Sequence, residues 1–524
     1  MKVIIIGAGP SGLCAAKEIR HANPNAEIML LEQESGLGGG FATSYEGLTL
    51  VNNPMLINFS DFLAEETLDE LRMWSAAEYV NYLQRYATHF NLHPLIHYNC
   101  KVLQTRRENN QWQITVTYND ETLCYAADYL VVCAGSNHHA NQPELPLHQF
   151  DGKVLHASQV KKPDDFAGQH VLIIGLGETG SDLTHFIAQK AAAVNISIRR
   201  WPGFLIPRYH DQRPTDLDTS MLYHRLPFRI DSSKLAWLLK LKRALEKRKI
   251  ESSLDRKIQD CANRLNGLYT ETSTLGPFRR MSTKSCGFIR SLLENQVTIR
   301  AALQRVEGNQ AYFTDGSTCP VDTIICCTGY RLSFPFLPKE LQSDGISSNS
   351  FYRHMFPIEA HKYLAFIGYI RPAVGSVPPL AELQSRILAR YLSSELTLPS
   401  AEHMQQQVTQ QQLATQQQFP VDYQRITHII DYFSYMKSLA QQLGVMPQQW
   451  LLLRQDPVLW FKVNCAFICP AIFRLHGPDS TYSSASRTLK RLPTMPASVM
   501  FVELTVNAIC WSFAALGMKK FQAK

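Results

Sequence analysis

The chain has 524 residues and a formal net charge of +7; 45% of its residues are hydrophobic and 19% are charged. At roughly 150 residues per domain, this length predicts three or four domains' worth of chain. The composition is that of a globular protein and excludes collagen-like and low-complexity classes. The only dense basic runs are 240–249, which we interpret as a solvated helix face, and Lys519–Lys520. The charge therefore predicts no nucleic-acid partner.

The twelve cysteines contain no C-x-x-C motif. Zinc ribbons and thioredoxin-like dithiol centres therefore lack their usual signature, and no metal site is predicted. Buried reduced thiols are the default interpretation. Because no disulfide framework is implied, a reducing compartment is favoured, and we expect a cytoplasmic protein.

The first 32 residues contain a dinucleotide-binding fingerprint in full context. Residues 3–6 form a short apolar strand, Gly7–Gly12 (GAGPSG) a glycine turn that opens a helix, and 27–31 a second strand that ends at Glu32. The glycines allow a tight turn, close approach of the backbone to a pyrophosphate, and close packing of helix on strand. An acid after the second strand accepts hydrogen bonds from ribose hydroxyls.

This pattern predicts a site for FAD or NAD, and the alternative is a glycine turn without a ligand. The predicted contacts of this first site are Gly7, Gly9, Pro10, Ser11, Gly12 and Glu32.

A second fingerprint follows, with a strand at 171–174, the turn Gly175–Gly180 (GLGETG), a helix, and a strand at 194–198. Where the first fingerprint has its acid, this one has Arg200, preceded by Arg199. Arginine pairs with the 2′-phosphate of NADP, whereas an acid would repel it. The alternative is a solvated strand end. The predicted NADP contacts are Gly175, Gly177, Thr179, Gly180, Ser181, Asp182, Ser197, Arg199 and Arg200.

Two such sites in one chain predict electron transfer from NADPH to FAD, and an α/β fold with two Rossmann-like domains. Apolar runs at 129–133 and 323–328 each lead into a glycine turn and look like the points where the chain leaves and re-enters the first sheet. The NADP domain would then be inserted in the FAD domain. The predicted parts are 1–150 (FAD domain), 151–330 (NADP domain, with a helical insertion at 209–290), 331–450 (FAD domain, second part) and 451–524 (C-terminal extension).

The segment after the NADP domain is predicted to return to the FAD domain. It contains a buried strand at 363–369 and an amphipathic helix at 380–392. In such a fold the N-terminus of that helix faces the flavin ring, where it stabilises negative charge. Gln384 could bond the ring, and a plain helix-surface glutamine is the alternative.

The glutamine-dense segment 404–418 is interpreted as an exposed helix. Val408, Leu413 and Phe419 recur at near-helical spacing, which favours a helix over disorder.

Together these motifs resemble the flavin-containing monooxygenases, within the class B flavoprotein monooxygenases, over nearly the whole chain. The F-x-G-x-x-x-H motif of that family is matched by Phe150, Gly152 and His156, ahead of the second fingerprint. The segments GLGETGSDL, CTGYRLSFPFL and LAELQSRILAR are similar to the family's forms, and the helical insertion is similar to that of the animal-type members. One departure is Val160, where the family usually has an aromatic residue.

Two further departures lie near the predicted FAD site. The turn after the first fingerprint contains Gly39, Gly40 and Phe41 in place of the usual G-G-x-W. The stretch before the SDF motif is one residue short, so the family's asparagine corresponds to Asn52 or, less well, to Asn53.

The resemblance implies an NADPH- and O2-dependent monooxygenase of the N,N-dimethylaniline type, acting on an amine nitrogen or a sulfide sulfur through a C4a-hydroperoxyflavin. It implies a catalytic role for Asn52 near the reacting centre, for which the alternative is a turn asparagine, FAD contacts for Gly39, Gly40, Phe41 and Asn53, and a domain-coupling role for His156. Three alternative functions remain open: Baeyer–Villiger oxidation of ketones, an NADPH oxidase or flavin reductase that produces peroxide, and a non-catalytic nucleotide-binding redox sensor.

Residues 499–518 form an apolar stretch that is long enough to cross a bilayer. The animal-type members carry a C-terminal membrane anchor, so the resemblance implies membrane association, with Lys519–Lys520 on the cytoplasmic face. Glu503 opposes insertion, because a carboxylate in lipid is costly. The alternative is a helix packed on the body of the protein, with Glu503 at a wet edge.

Overall fold

The computed structural model describes residues 1–224, 250–269, 280–342, 348–495 and 497–515. The basic run 240–249, which we interpreted as a solvated helix face, lies outside these residues. All twelve cysteines lie within them and are free thiols.

The first sheet is parallel and five-stranded, and its central strands are buried on both faces. Such burial explains why these strands are continuous apolar runs. In spatial order its strands are Leu364–Phe366, Tyr129–Val132, Lys2–Ile6, Glu27–Leu31 and Ile96–His97.

The second sheet is also parallel and five-stranded. In spatial order its strands are Lys153–His156, Thr323–Cys326, His170–Ile174, Ala193–Ser197 and Val297–Arg300. The expectation that the strand near 323–328 re-enters the first sheet is therefore wrong, because the chain re-enters that sheet only at Leu364–Phe366. The strands Thr323–Cys326 and Leu364–Phe366 are both buried apolar runs, and their residues do not indicate to which sheet each belongs.

The fold is mixed α/β with two Rossmann-type units, the second inserted in the first, as predicted. The boundaries of the predicted parts stay a prediction. A three-stranded antiparallel sheet has strands at Cys100–Glu108, Gln111–Tyr118 and Glu121–Ala127. A four-stranded mixed sheet has strands at Leu147–His148, Leu303–Glu307, Gln310–Phe313 and Thr318–Pro320, of which only the first pairing is parallel.

The described helices belong to two groups, those of the FAD unit with the C-terminal extension and those of the inserted unit. The former are Pro10–Ala22, Pro54–Ile57, Ala76–His89, Pro378–Leu392, Ala401–Gln418, Tyr432–Gln442, Gln449–Gln455, Pro457–Cys465, Tyr482–Arg491 and Ala497–Ala515. The described helices of the latter are Glu178–Ala188, Met221–His224, Ser253–Tyr269 and Gly287–Leu293.

The glutamine-dense segment lies in the helix Ala401–Gln418, as expected. Val408 is buried, whereas Leu413 is 54% exposed. Five residues correspond to about 500° of rotation at 3.6 residues per turn, so these two side chains lie on different faces. The helix is as predicted, but Val408 and Leu413 do not form one packed face.

The C-terminal helix Ala497–Ala515 packs on the short helix Met221–His224. Glu503 is only 3% exposed, so the alternative of a packed helix is wrong in placing this residue at a wet edge, while Phe501 is 72% and Trp511 55% exposed. None of the helices in the described part of the chain is both long and apolar enough to span a membrane. Residues 516–518 of the predicted apolar stretch lie outside that part.

A buried charge network joins the C-terminal extension to the FAD unit. Nη2 of Arg474 lies 3.3 Å from Glu18 on the first fingerprint helix, 3.0 Å from Asp61, and 2.8 Å from Glu382 on the helix Pro378–Leu392. Burial opposes the charge of Arg474, but the three carboxylates more than offset this and hold its pKa above the ordinary value. Lys17 pairs with Glu18 at 2.9 Å and also with Asp61.

We expect the substitution Arg474→Ala to lower the free energy of unfolding by about 3–5 kcal/mol, because it leaves buried carboxylates with too little positive charge. The matched control is Arg491→Ala, which breaks exposed pairs with Glu65 and Asp69 and is expected to cost less than about 1 kcal/mol. Urea unfolding of the FAD-loaded protein, followed by circular dichroism, measures both. Equal losses in the two variants would contradict this account.

Candidate active site

The first glycine turn has a geometry that only glycine satisfies at two positions. Gly7 has a φ of 102°, a conformation that side chains rarely adopt. A Cβ on Gly12 would lie 1.8 Å from the carbonyl oxygen of Gly7. Gly9 faces Gly39, with 3.6 Å between an added Cβ and the Gly39 Cα. This open cradle at the N-terminus of the helix that begins at Pro10 fits the pyrophosphate of FAD.

Glu32 lies at the end of the second strand, where the fingerprint predicts it. Its Oε2 accepts a hydrogen bond from the backbone N–H of Ala8 at 2.7 Å, and its Oε1 accepts one from Glu34 at 3.0 Å. The carboxyl is buried, and this burial raises its pKa above the ordinary value. The carboxyl therefore sits against the glycine turn, and its bond to a ribose stays a prediction.

Asn52 and Asn53 have different surroundings. Asn53 is the N-cap of the helix Pro54–Ile57, because its Oδ1 accepts from the N–H of Met55 at 3.0 Å. Its own N–H donates to Oδ2 of Asp216 at 2.8 Å, whereas Nδ2 of Asn52 lies 3.5 Å from the same oxygen. The amide of Asn52 is thus buried but only weakly held.

Two residues of the inserted domain hold this asparagine loop, and sequence reasoning missed both. Asp216 contacts Asn53, and Nζ of Lys284 donates to the carbonyl oxygen of Val51 at 3.0 Å. Both lie far from the loop along the chain, inside the predicted helical insertion. No motif spacing relates them to the loop, so only the tertiary structure could bring them to it.

The second glycine turn repeats the geometry of the first. Gly175 has a φ of 103°, and a Cβ on Gly180 would lie 2.1 Å from the carbonyl oxygen of Gly175. The N-terminus of the helix Glu178–Ala188 follows Gly177, which has nothing within 4 Å of an added Cβ. This open N-terminus fits a second pyrophosphate.

Arg199 and Arg200 lie where the fingerprint predicts them, on a cleft of about 840 Å³. Arg280 and Arg300 also line it, and sequence reasoning missed both. Arg280 belongs to the helical insertion, where we could not place side chains from the sequence. Four guanidinium groups on one cleft fit a phosphate ester such as the 2′-phosphate of NADP. Residues 420–421 and Gln424 of the returning FAD unit also line it.

Two predicted NADP contacts, Asp182 and Ser197, form hydrogen bonds within the protein and do not line this cleft. Both oxygens of Asp182 accept from Nη2 of Arg208, at 2.8 and 2.9 Å, and Oδ2 also accepts from the hydroxyl of Tyr45 at 3.1 Å. The buried Ser197 hydroxyl donates to Ala301 at 2.8 Å and accepts from the N–H of Leu303 at 3.0 Å. Asp182 therefore joins the two domains, and the Ser197 hydroxyl joins two segments of the inserted one.

The F-x-G-x-x-x-H motif lies where the chain crosses between the domains. A Cβ on Gly152 would lie 2.3 Å from the ring of Phe150, so this ring packs against the backbone of Gly152. His156 contacts the carbonyl oxygen of Gly329 through Nε2 at 3.0 Å, and its ring packs edge-on against Tyr330. This placement ties the strand that enters the inserted domain to the turn that leaves it, and the coupling role of His156 stays a prediction.

Gln384 is fully buried in the helix Pro378–Leu392, so the alternative of a helix-surface glutamine is wrong. Its Oε1 accepts from the N–H of Gly368 at 2.9 Å, and its Nε2 donates to the hydroxyl of Tyr435 at 2.7 Å. Gln384 thus holds the turn after the strand Leu364–Phe366 against the helix, and its bond to the flavin stays a prediction.

Glu178 is the ionisable group of the second glycine turn. Its Oε1 accepts from the backbone N–H of Lys284 at 2.9 Å, while its Oε2 is sealed from solvent and has no hydrogen-bond partner in the described residues. Burial raises the pKa of Glu178 to about 7, because the Lys284 N–H and the charge of Arg208 only partly offset the loss of solvent. The carboxyl therefore changes charge near neutral pH.

We expect Glu178→Gln to stabilise the protein at pH 8 but not at pH 4.5. A carboxyl whose pKa is raised by folding contributes stability that is fully present below its unfolded pKa, near 4.5. This contribution is lost as the pH rises through its folded pKa of about 7. At about 1.4 kcal/mol per pKa unit, the shift from 4.5 to about 7 corresponds to a gain of roughly 3 kcal/mol for the glutamine variant at pH 8.

Urea unfolding at the two pH values measures this gain. The matched control is Glu46→Gln, which removes one negative charge from an exposed side chain. A glutamine variant of Glu178 with the same stability difference at both pH values would refute the shifted titration.

Residues 1–491 match the family model described as flavin-binding monooxygenase-like. The chain is 30% identical to a 4-hydroxybenzoate brominase (decarboxylating) of Marinomonas mediterranea, over 94% of this chain and 93% of that protein. It is 29% identical to dimethylaniline monooxygenase (N-oxide-forming) 4 of Mus musculus, over 98% of this chain and 93% of that protein. The solved structure of S-allyl-L-cysteine S-oxygenase from Allium sativum shares the fold, with a TM-score of 0.61 and 21% identity over 93% of this chain and 97% of that one. Because the family model spans nearly the whole chain, the protein belongs to the flavin-binding monooxygenase-like family, whose members use FAD and NADPH.

Proposed function

We propose that the protein is a monooxygenase of soft nucleophiles, of the N,N-dimethylaniline type, which transfers one oxygen atom of O2 to an amine nitrogen or a sulfide sulfur. One observation carries the proposal: a single chain unites a glycine turn closed by Glu32 with a second glycine turn beside a cleft of four arginines. The first suits FAD and the second suits NADPH. When bound, FAD accepts hydride from NADPH and activates O2.

The residues of this chain would bind and orient the cofactors. Arg199, Arg200, Arg280 and Arg300 hold the 2′-phosphate of NADPH, and their charge favours it over NADH. The Asn52 amide can both donate and accept a hydrogen bond. Its weak 3.5 Å contact with Asp216 leaves it free to hold the nicotinamide amide or the reacting oxygen. The inserted domain covers the asparagine loop, which supports exclusion of water during the reaction.

A second candidate function is bromination of an aromatic hydroxy acid. The 30% identity to the 4-hydroxybenzoate brominase, over nearly the full length of both chains, favours it. Bromide is itself a soft nucleophile, so transfer of one oxygen atom to it yields hypobromite. The phenol ring takes electrophilic bromine from hypobromous acid, whose O–Br bond breaks and whose oxygen leaves as hydroxide. The ring carbon then loses a proton, which gives water with that hydroxide, or, in the decarboxylating case, CO2. The same cofactor sites therefore serve either reaction.

Product analysis with labelled oxygen distinguishes these functions. FAD-loaded protein, NADPH and 18O2 are supplied with trimethylamine, a thioether, a cyclic ketone, or 4-hydroxybenzoate with and without bromide. We expect one 18O atom in the amine or sulfide product, with little hydrogen peroxide per NADPH consumed. The measurements are mass spectrometry of the products, NADPH absorbance and a peroxide assay.

Each other outcome rejects the leading proposal in a specific way. A bromide-dependent aryl bromide as the sole product supports the second candidate, and a lactone as the sole product supports Baeyer–Villiger oxidation. Peroxide that accounts for all of the NADPH with every substrate indicates an oxidase. No NADPH consumption indicates a nucleotide-binding sensor.

The arginine cleft generates a separate prediction about cofactor choice. We expect the double substitution Arg199→Ala and Arg200→Ala to raise the KM for NADPH by about 100-fold or more, since each of the two lost charged hydrogen bonds contributes about 1.5–3 kcal/mol. The KM for NADH should change less than about threefold, because NADH has no 2′-phosphate.

The matched control is Arg305→Ala, an exposed arginine that pairs with Glu307 at 2.6 Å and does not line the cleft. Steady-state kinetics with both dinucleotides measure the effect. Equal losses for NADPH and NADH would reject the 2′-phosphate assignment.

A further inference from the structure

Asp216 is a buried carboxylate of the inserted domain that lies beside Asn52. It belongs to the short helical turn Thr215–Asp218 and is only 4% exposed. Its Oδ2 accepts a hydrogen bond from the backbone N–H of Asn53 at 2.8 Å and lies 3.5 Å from Nδ2 of Asn52. Its Oδ1 is sealed from solvent and has no hydrogen-bond partner in the described residues.

This carboxylate is a costly choice if stability is its only role. A buried carboxylate oxygen without a hydrogen-bond partner lowers the free energy of unfolding, because the oxygen loses its contacts with water. An asparagine of the same shape would accept the N–H of Asn53 through its amide oxygen without burying a charge. The negative charge of Asp216 therefore needs a functional explanation.

The backbone of the asparagine loop is fixed on both sides of Asn52. Nζ of Lys284 donates to the carbonyl oxygen of Val51 at 3.0 Å, and Asp216 accepts the N–H of Asn53. The side-chain amide of Asn52 is the part of this residue that can still turn. No described residue donates a hydrogen bond to its Oδ1, which stays available as an acceptor.

The charge of Asp216 decides which end of that amide faces it. A carboxylate only accepts hydrogen bonds, whereas a side-chain amide has a donor at one end and an acceptor at the other. The carboxylate attracts the NH2 end and repels the carbonyl end, and this preference extends beyond hydrogen-bond distance in a buried site. Oδ1 of Asn52 is therefore presented on the side away from Asp216.

Asp216 is also connected to the second fingerprint helix. The backbone N–H of the preceding residue, Thr215, donates to the carbonyl oxygen of Arg208 at 3.0 Å. Nη2 of Arg208 donates to both carboxylate oxygens of Asp182, which lies on that helix, at 2.8 and 2.9 Å. These contacts connect the helix that begins at the second glycine turn to the carboxylate beside the asparagine loop.

We propose that Asp216 is a positioning residue that orients the amide of Asn52, so that Oδ1 of Asn52 accepts a hydrogen bond from the carboxamide of NADP(H). This inference rests on the proposed use of NADPH and on the proposed role of Asn52. It assigns the orienting charge to the inserted domain, which also contains the second glycine turn.

The test is equilibrium binding to the FAD-loaded protein, without turnover, by isothermal titration calorimetry. The probes are NADP+, its acetylpyridine analogue, in which a methyl ketone without an N–H replaces the carboxamide, and 2′-AMP, which has no nicotinamide. We expect the unmodified protein to bind NADP+ about 3- to 10-fold more tightly than the analogue, which is the effect of one neutral hydrogen bond.

We expect Asp216→Asn to reduce this preference to less than about twofold, because an amide can face either end of the Asn52 amide. The Kd of 2′-AMP should stay within about twofold, which shows that the fold and the arginine cleft persist. Asp216→Glu keeps the charge and should retain most of the preference.

A double-mutant cycle separates positioning from a general structural effect. Asn52→Ala alone should abolish the preference for NADP+ over the analogue. Adding Asp216→Asn to that variant should cause no further change in the Kd of NADP+, because Asp216 acts through Asn52.

The matched control is Asp211→Asn, in the same insertion. Asp211 is exposed, and its carboxylate accepts the backbone N–H groups of Glu251 and Ser252 at 2.9 and 2.7 Å. This variant should bind all three probes as the unmodified protein does.

Four results would overturn the proposal: no preference in the unmodified protein, an unchanged preference in Asp216→Asn, equal losses of preference in Asp216→Asn and Asp216→Glu, or additive losses in the double-mutant cycle. All are binding measurements that do not depend on which substrate is oxygenated. Failure of the proposed function therefore stays distinguishable from failure of this inference.

Discussion

The buried ion cluster around Arg474 is the constraint on which the rest of the structure depends. Three carboxylates, on Glu18, Asp61 and Glu382, converge from three separate segments. In a low-dielectric interior they would repel one another strongly if Arg474 and Lys17 did not neutralise them. The cluster therefore holds the first fingerprint helix, the loop after the asparagines and the helix Pro378–Leu392 in one arrangement.

This arrangement connects the cofactor site to the C-terminal extension. The first fingerprint helix begins at the glycine turn, so any shift of Glu18 along the helix axis would move the cradle formed by Gly9 and Gly39. Arg474 comes from the extension, which is why the extension acts as part of the FAD unit. The carboxylate oxygens of the cluster lie close enough to suggest a metal site, but Lys17 and Arg474 already occupy them.

The inserted domain contributes directly to the surroundings of Asn52. Asp216 and Lys284 contact the asparagine loop, and Asp182 accepts a hydrogen bond from Tyr45 across the same boundary. The surroundings of Asn52 are thus assembled from both units. A shift of one unit against the other would change the position of Asn52 relative to the second glycine turn, so the catalytic role that we propose for Asn52 would depend on the domain boundary.

The sequence by itself determined the local features of this protein. Both glycine turns, Glu32 and the arginine pair Arg199–Arg200 were predictable, because each depends on backbone conformation or on spacing within about thirty residues. The same reasoning identified the family, since its motifs are local too. Spacing along the chain is enough to predict a site wherever one strand, one turn and one helix form that site together.

Only the tertiary structure decided the contacts between distant segments. It assigned Thr323–Cys326 to the second sheet, since buried parallel strands of either sheet have the same apolar composition. It brought Arg280 to the cleft that Arg199 and Arg200 line. It also placed Asp182 where it accepts a hydrogen bond across the domain boundary. It also buried Glu503. The sequence places this residue in an apolar helix but does not decide whether that helix enters a membrane or packs on the body of the protein. Each of these outcomes depends on which surfaces pack together, and no local spacing encodes that choice.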